Sequence, residues 1–299
     1  MTRKPNTLPR SALALALCLP LGLVHAQSGD DEADLSGKLL LTGGVSQVEG
    51  SAGGGLTPWA VIGGYGTRDQ IGGNAYFTRV DVDDYSLDSY GVLVGLYDRV
   101  ELSFSRQAFD TQAIGGALGL GNGFTFTQDT IGVKVKVAGD AVLEQDSWLP
   151  QISVGAQYKK NDQPGVLAFV GARDDSGVDY YVSATKLYLD KSLLLNTTLR
   201  LTKANQFGIL GFGGDLNDDY EAQLEGSFAY LLSRNLAIGG EYRMKPDNLG
   251  IAEENDAWDV FVAWAPVKNV SLTLAYVDLG NIVIADNQRG VYASLQVGF

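Results

Sequence analysis

From residue 149 onward, apolar and polar positions alternate. In 149–160, Ile152, Val154, Ala156 and Tyr158 alternate with Gln151, Ser153, Gln157 and Lys159. A period of two is that of a β-strand with one apolar face. The pattern returns in 178–189 and 192–202, joined by a tight turn at Asp190-Lys191, and in 220–231 and 236–245, joined across Ser233-Arg234-Asn235. It returns again in 256–265 and 270–279, joined across Pro266-Val267-Lys268-Asn269, and in the last stretch, where Val291, Ala293, Leu295, Val297 and Phe299 alternate with Tyr292, Ser294, Gln296 and Gly298. The first half is more glycine-rich and its pattern looser. Strands are predicted there at 38–47, 58–66, 73–82, 89–97, 99–107 and 128–137, for about 14 strands in all, with 12 as the fallback because membrane barrels are usually even-numbered.

The connections separate these strands into two kinds. Short turns alternate with long polar or glycine-rich loops at 161–177, 203–219, 246–255 and 280–289. Short turns on one side and long loops on the other is the arrangement of an antiparallel up-and-down transmembrane β-barrel, the short turns being periplasmic. An apolar strand at a chain end is an aggregation hazard in water and is stable when it closes a barrel in lipid, where every backbone group needs a partner. The final strand, ending on Phe299, resembles the closing strand of bacterial outer-membrane barrels. Aromatic placement agrees. Trp258 and Trp264 fall on one face at the two ends of one strand, and with Tyr276 and Phe299 they are the candidate interface aromatics. A β-sandwich is the competing all-β reading, but it would need protected edges.

The N-terminus reads as a secretory signal over residues 1–26: Arg3, Lys4 and Arg10 precede an apolar run from Ala12 to Val24, and Val24-His25-Ala26 offers a cleavage site. That run is too short for a spanning helix, and no later stretch approaches the roughly 20 apolar residues one requires. Leu15-Ala16-Leu17-Cys18 departs from a lipoprotein box in its bulky residue before the cysteine. Cleavage would remove the only Cys, Cys18, and the only His, His25, and would take the net charge from −13 to −16. A chain without thiol or imidazole cannot form a disulfide, a Cys or His-based nucleophilic centre or a His-ligated zinc site. Its acidity excludes nucleic acid as a partner. Residues 27–37 carry Asp30, Asp31, Glu32 and Asp34 and read as a flexible acidic arm, leaving 38–299 as one barrel domain.

Opposite the apolar face, the strands carry charges that a barrel in lipid must turn inward, since an outward charge at mid-depth costs about 2–4 kcal/mol. The candidate lumen-lining residues are Arg99, Glu101, Lys134, Lys136, Lys159, Arg200, Glu221, Glu225, Glu241 and Arg243. Grouped by sign, they would either set a transverse field across a water-filled pore or pair with one another and fill a narrow lumen. The loop 115–123 could fold inward or stay outside. Asp215-Leu216-Asn217-Asp218-Asp219 has the look of a calcium loop, but Tyr220 and Gly226 stand where that pattern requires Gly and Glu. The paired acids Asp218/Asp219 and Glu253/Glu254 read as a solvated rim rather than a glycosidase pair, and no enzymatic activity, cofactor or metal is expected.

Gly43-Gly44-Val45-Ser46-Gln47-Val48-Glu49-Gly50, Gly53-Gly54-Gly55-Leu56-Thr57-Pro58-Trp59-Ala60 and Gly64-Tyr65-Gly66-Thr67-Arg68-Asp69 resemble an uncharacterised family of proteobacterial outer-membrane barrel proteins. The resemblance covers the mature chain. It implies a Gram-negative outer-membrane location, with membrane lipid and lipopolysaccharide around the barrel and the barrel-assembly machinery engaging the C-terminal strand. It supplies no activity and no site residues. The expected function is porin-like passage of small solutes. The alternatives are a non-conducting envelope scaffold or surface-interaction barrel, and a transporter for apolar or polysaccharide substrates in which the glycine-rich N-terminal part is a plug.

Overall fold

The computed structural model describes residues 38–251 and 253–299. The signal segment, the acidic arm, Cys18 and His25 lie outside the described residues. Two short strands, β1 (Val45–Ser46) and β2 (Ala52–Gly53), pair only with each other. Twelve further strands form the wall. They run β3 (Ile71–Val82), β4 (Ser86–Leu96), β5 (Val100–Asp110), β6 (Thr125–Ala138), β7 (Gln151–Asn161) and β8 (Ser176–Tyr188). The second half is β9 (Leu193–Thr202), β10 (Glu221–Ser233), β11 (Leu236–Arg243), β12 (Ala257–Val267), β13 (Val270–Asp278) and β14 (Arg289–Gly298). Each pairs antiparallel with its neighbours in sequence, and β14 closes on β3 from Gly290↔Val82 to Gly298↔Asn74. The strand count is therefore 12. The two surplus strands expected from the sequence, 38–47 and 58–66, are not in the wall.

The barrel is inside-out relative to a soluble protein. Outward positions are apolar, with Leu274 61% and Ile131 59% exposed, while Arg200 on the inner face is 1% exposed. A wall of this kind is stable where its exterior meets hydrocarbon. On β12, Trp258 and Trp264 both face outward, six residues or about 20 Å apart at strand rise. Trp258 packs beside Tyr276 of β13, with ring centroids 6.1 Å apart. On β3 to β7 the outward face changes from apolar to charged toward one end, where Arg79 pairs with Asp88 at 3.1 Å and Arg106 with Asp129 at 2.6 Å.

The rim where Phe299 lies is called the near rim, and the opposite one the far rim. Near-rim connections are short except for 139–150, and far-rim connections are long except for 83–85. The long near-rim connection is anchored by Lys186, whose Nζ donates to the carbonyl of Glu144 at 2.6 Å, and by Asp140, which pairs with Lys136 at 3.4 Å and Arg68 at 3.5 Å. At the far rim, α1 (Gln112–Ala117) and α2 (Pro164–Phe169) are single-turn helices in the loops.

Bulk inside the wall is balanced across strands. The ring of Tyr181 lies across Gly155, its register partner, so closely that a Cβ there would fall 2.3 Å from Cζ. Phe261 covers Gly239 in the same way. An aromatic laid over a strand glycine restores the packing that the glycine lacks.

Candidate functional site

What occupies the lumen is the chain's own N-terminal segment. Lys38 lies at the near rim, paired with Asp98 at 2.7 Å. Residues 45–64 are buried inside the wall, and the segment returns to the near rim at Tyr65, whose N–H donates to the carbonyl of Phe299 at 3.0 Å. This plug has too few regular hydrogen bonds of its own to satisfy a buried backbone, which must find partners elsewhere. The wall supplies them. Val48 O accepts from Ser89 Oγ at 2.6 Å and Gln107 Nε2 at 3.0 Å. Pro58 O accepts from Thr198 Oγ1 at 2.8 Å, and Ala60 O from Gln151 Nε2 at 2.6 Å. Ala60 N–H donates to Thr185 Oγ1 at 2.7 Å, and the Trp59 indole donates to Ser227 Oγ at 2.7 Å.

Three charged anchors hold the plug. Glu101 accepts from Ala52 N–H at 3.0 Å and Gly63 N–H at 2.8 Å, and pairs with Lys134 at 3.1 Å. Lys134 Nζ also donates to Ala52 O and Val61 O at 2.9 and 2.8 Å. Glu241 accepts from Leu56 N–H and Thr57 Oγ1, both at 2.7 Å. The third anchor is reversed, with the plug supplying the charge. Glu49, fully buried, meets Arg243 Nη1 at 2.9 Å and Nη2 at 3.3 Å, Lys159 by a short hydrogen bond, Arg200 at 3.9 Å and Gln47 Nε2 at 3.1 Å. Arg200 also bonds Glu225 and reaches Asp179 at 3.2 Å, and Lys159 reaches Asp179 at 2.6 Å. Lys159, Arg200 and Arg243 against Glu49, Asp179 and Glu225 make a balanced cluster of three cations and three carboxylates.

The far side is capped by the loop 203–214, which dips inward. Gln206 and Phe207 adopt left-handed backbone, with φ of 43° and 60°, strain that non-glycine residues carry only when their surroundings fix it. The Phe207 ring lies 4.1 Å from the Arg243 guanidinium, and its carbonyl accepts from Lys159 at 3.1 Å. Lys245 Nζ donates to Gln206 Oε1 at 3.2 Å and pairs with Glu254 at 3.0 Å. Burial pushes the Glu254 carboxyl above its usual range despite that partner. Two apolar voids beside the plug measure about 30 and 40 Å³. Each has room for one or a few waters and for no solute.

Of the ten lumen candidates, Glu101, Lys134, Lys136, Lys159, Arg200, Glu225, Glu241 and Arg243 are buried on the inner face. All but Lys136 meet plug, cap or one another rather than open water. Lys136 stays near the near rim, 2.7 Å from Asp98. Arg99 is a correction: Tyr97 and Asp98 turn the chain with positive φ, which leaves Arg99 exposed on the β4–β5 turn. Glu221 sits half-buried at the far rim, accepting from Asn217 Nδ2 at 2.6 Å. The loop that folds inward is 203–214, whereas 115–123 stays largely exposed. Glu49 and Asp179 were not singled out from the sequence. Glu49 is a lone acid in a glycine-rich stretch and carries no periodic signal, whereas Asp179 falls in phase with Ser183 and Thr185 on the polar face of 178–189, which is the signal that could have found it.

Gly54 packs directly against the wall at Glu241. A Cβ there would lie 1.8 Å from Glu241 Oε1. Gly54→Ala is expected to displace that carboxylate from Leu56 N–H and Thr57, costing about 2 kcal/mol for two buried charge-assisted bonds. A denaturant titration in detergent, beside Gly165→Ala at a site with nothing within 4 Å, checks it.

No curated protein sequence matches the chain. Among solved structures, the KdgM porin overlays with a TM-score of 0.48 at 11% identity, covering 76% of this chain and 99% of that one. The outer membrane protein Omp33 of Acinetobacter baumannii gives 0.46 at 7% identity, covering 78% and 100%. The outer membrane phospholipase A of Escherichia coli gives 0.42 at 12% identity, covering 78% and 93%. These scores are too low to carry an argument about activity, and the barrel stands on its own strand pairing. The family described as protein of unknown function (DUF3034) matches residues 42–296, and the chain belongs to that family.

Proposed function

We propose that the protein is an outer-membrane barrel, closed at rest by its N-terminal segment, that passes small solutes when this plug moves. The observation that carries the reading is how the plug is held. Wall side chains grip its backbone groups and one carboxylate, so its departure uncovers hydratable polar groups as well as the apolar wall residues, among them Phe109, Leu194 and Phe261, that form one core with Val48, Leu56, Trp59 and Val61 of the plug. The near rim is then periplasmic, and Trp258, Trp264, Tyr276 and Phe299 meet lipid and lipopolysaccharide. The C-terminal strand is the segment the barrel-assembly machinery would engage.

The test is a reversible lock. Thr57 Oγ1 and Ser227 Oγ lie 3.2 Å apart, and the described residues contain no cysteine. Thr57→Cys/Ser227→Cys should therefore form one disulfide between plug and wall. Discrete planar-bilayer currents that vanish on oxidation and return on reduction would support the gate. Currents indifferent to the lock, or absent in both states, would sink it. The second reading, a non-conducting scaffold, draws on the cap at 203–214, which closes the lumen from the other end.

A further inference from the structure

We infer that the Glu49 pocket is an internal receptor for a solute carboxylate, which competes with the plug's own. This rests on the gated reading above and names the solute class that gate would admit. The three cations are fixed by wall and cap: Arg200 by Glu225 and Asp179, Lys159 by Asp179, and Arg243 by Glu225 at 3.5 Å and by the Phe207 ring of the cap. The guanidinium of Arg243 takes both oxygens of Glu49, the fork geometry that suits a planar carboxylate. With Glu49 withdrawn, three cations face two carboxylates, and this cluster is left with one unanswered positive charge. A cation entering there meets repulsion, and a neutral solute leaves that charge unpaired. A small solute ending in a carboxylate restores the balance and, by occupying the place of Glu49, favours the displaced plug.

The experiment reads the pocket without requiring the gate to open. Glu49→Ala removes the γ-methylene and the carboxylate, and acetate supplies the same group from solution. Glu49→Ala is refolded into detergent with acetate, with acetamide, or with chloride at matched ionic strength, and its unfolding midpoint is measured. Acetate should raise the midpoint by several degrees in a saturable manner and leave wild type and Glu49→Gln, whose pocket is filled, unchanged. If Glu49→Ala folds only with acetate, the folded yield is the readout. Equal effects of acetate and chloride on midpoint and yield would overturn the carboxylate site. Rescue by acetate with no current from any variant would keep the site and remove the gate. Currents under lock control without rescue would do the reverse.

Discussion

Excising residues 44–63 should turn a barrel that is closed at rest into one with sustained, discrete conductance steps. The excision is sterically simple, because Gly43 and Gly64 are neighbours in space, a Cβ on the first falling 3.3 Å from the carbonyl of the second. The wall should survive, since most of its buried charges keep partners on adjacent strands: Glu101 with Lys134 at 3.1 Å, Lys159 with Asp179 at 2.6 Å, and Arg200 with Glu225, while Glu241 exchanges Leu56 N–H and Thr57 for water. Water would then replace the plug backbone as partner for Ser89, Gln107, Gln151 and Thr198. Replacing 205–213 by a short Gly-Ser turn should enlarge the steps, because the Phe207 cap otherwise stays over Arg243. Reversal potentials in a salt gradient should move toward anion preference when Glu241 is replaced by Gln, because that uncovered carboxylate offsets the one positive charge left by the three cations facing Asp179 and Glu225. Folded, heat-modifiable protein without current would return the lumen to the scaffold reading.

Arg200→Ala should be the most destabilising single substitution, at about 3–5 kcal/mol, the cost of breaking a buried ion network from one side. Its guanidinium serves Glu225, Asp179 and Gln157, the last at 2.8 Å, and lies 5.4 Å from the Tyr181 ring centroid. Removing it strands carboxylates inside a closed wall. Lys would not replace it, because one ammonium cannot bridge partners on β7, β8 and β10 as a planar fork does. Leu274→Ala, outward on β13, gives the scale for comparison: it should change little where only lipid lies beyond the side chain. Urea titrations of both variants in the same detergent decide this, and equal losses would mean that the inner network contributes no more than the outer wall.

Much of this was legible because one physical fact, alternation, carried it. The strands from β7 onward follow their apolar periods to within a few residues, and Trp258 and Trp264 could be placed on one face from spacing alone. The inward charges followed from the cost of turning Lys134 or Arg200 toward lipid. The plug was legible only as an alternative. Between Gly43 and Gly66 almost every residue is buried on all sides, so no alternation survives, and its contacts are made mainly by backbone atoms that every sequence possesses. Two stretches there, 38–47 and 58–66, therefore read as wall strands. Arg99 was misplaced by a turn boundary one residue off, and the inward dip at Gln206-Phe207 depends on left-handed backbone that neither residue type announces.

The carbonyl of Phe299 accepts from both Tyr65, where the plug leaves the lumen, and Gly73, at the start of the first wall strand, each at 3.0 Å. The seam between first and last strands and the exit of the plug thus share one acceptor. The plug enters and leaves by this same rim, at Lys38 and Tyr65, so it can seat or withdraw while the seam stays paired. One oxygen therefore reports both events: a withdrawing plug takes the Tyr65 contact with it, while the Gly73 contact keeps the last strand on the first.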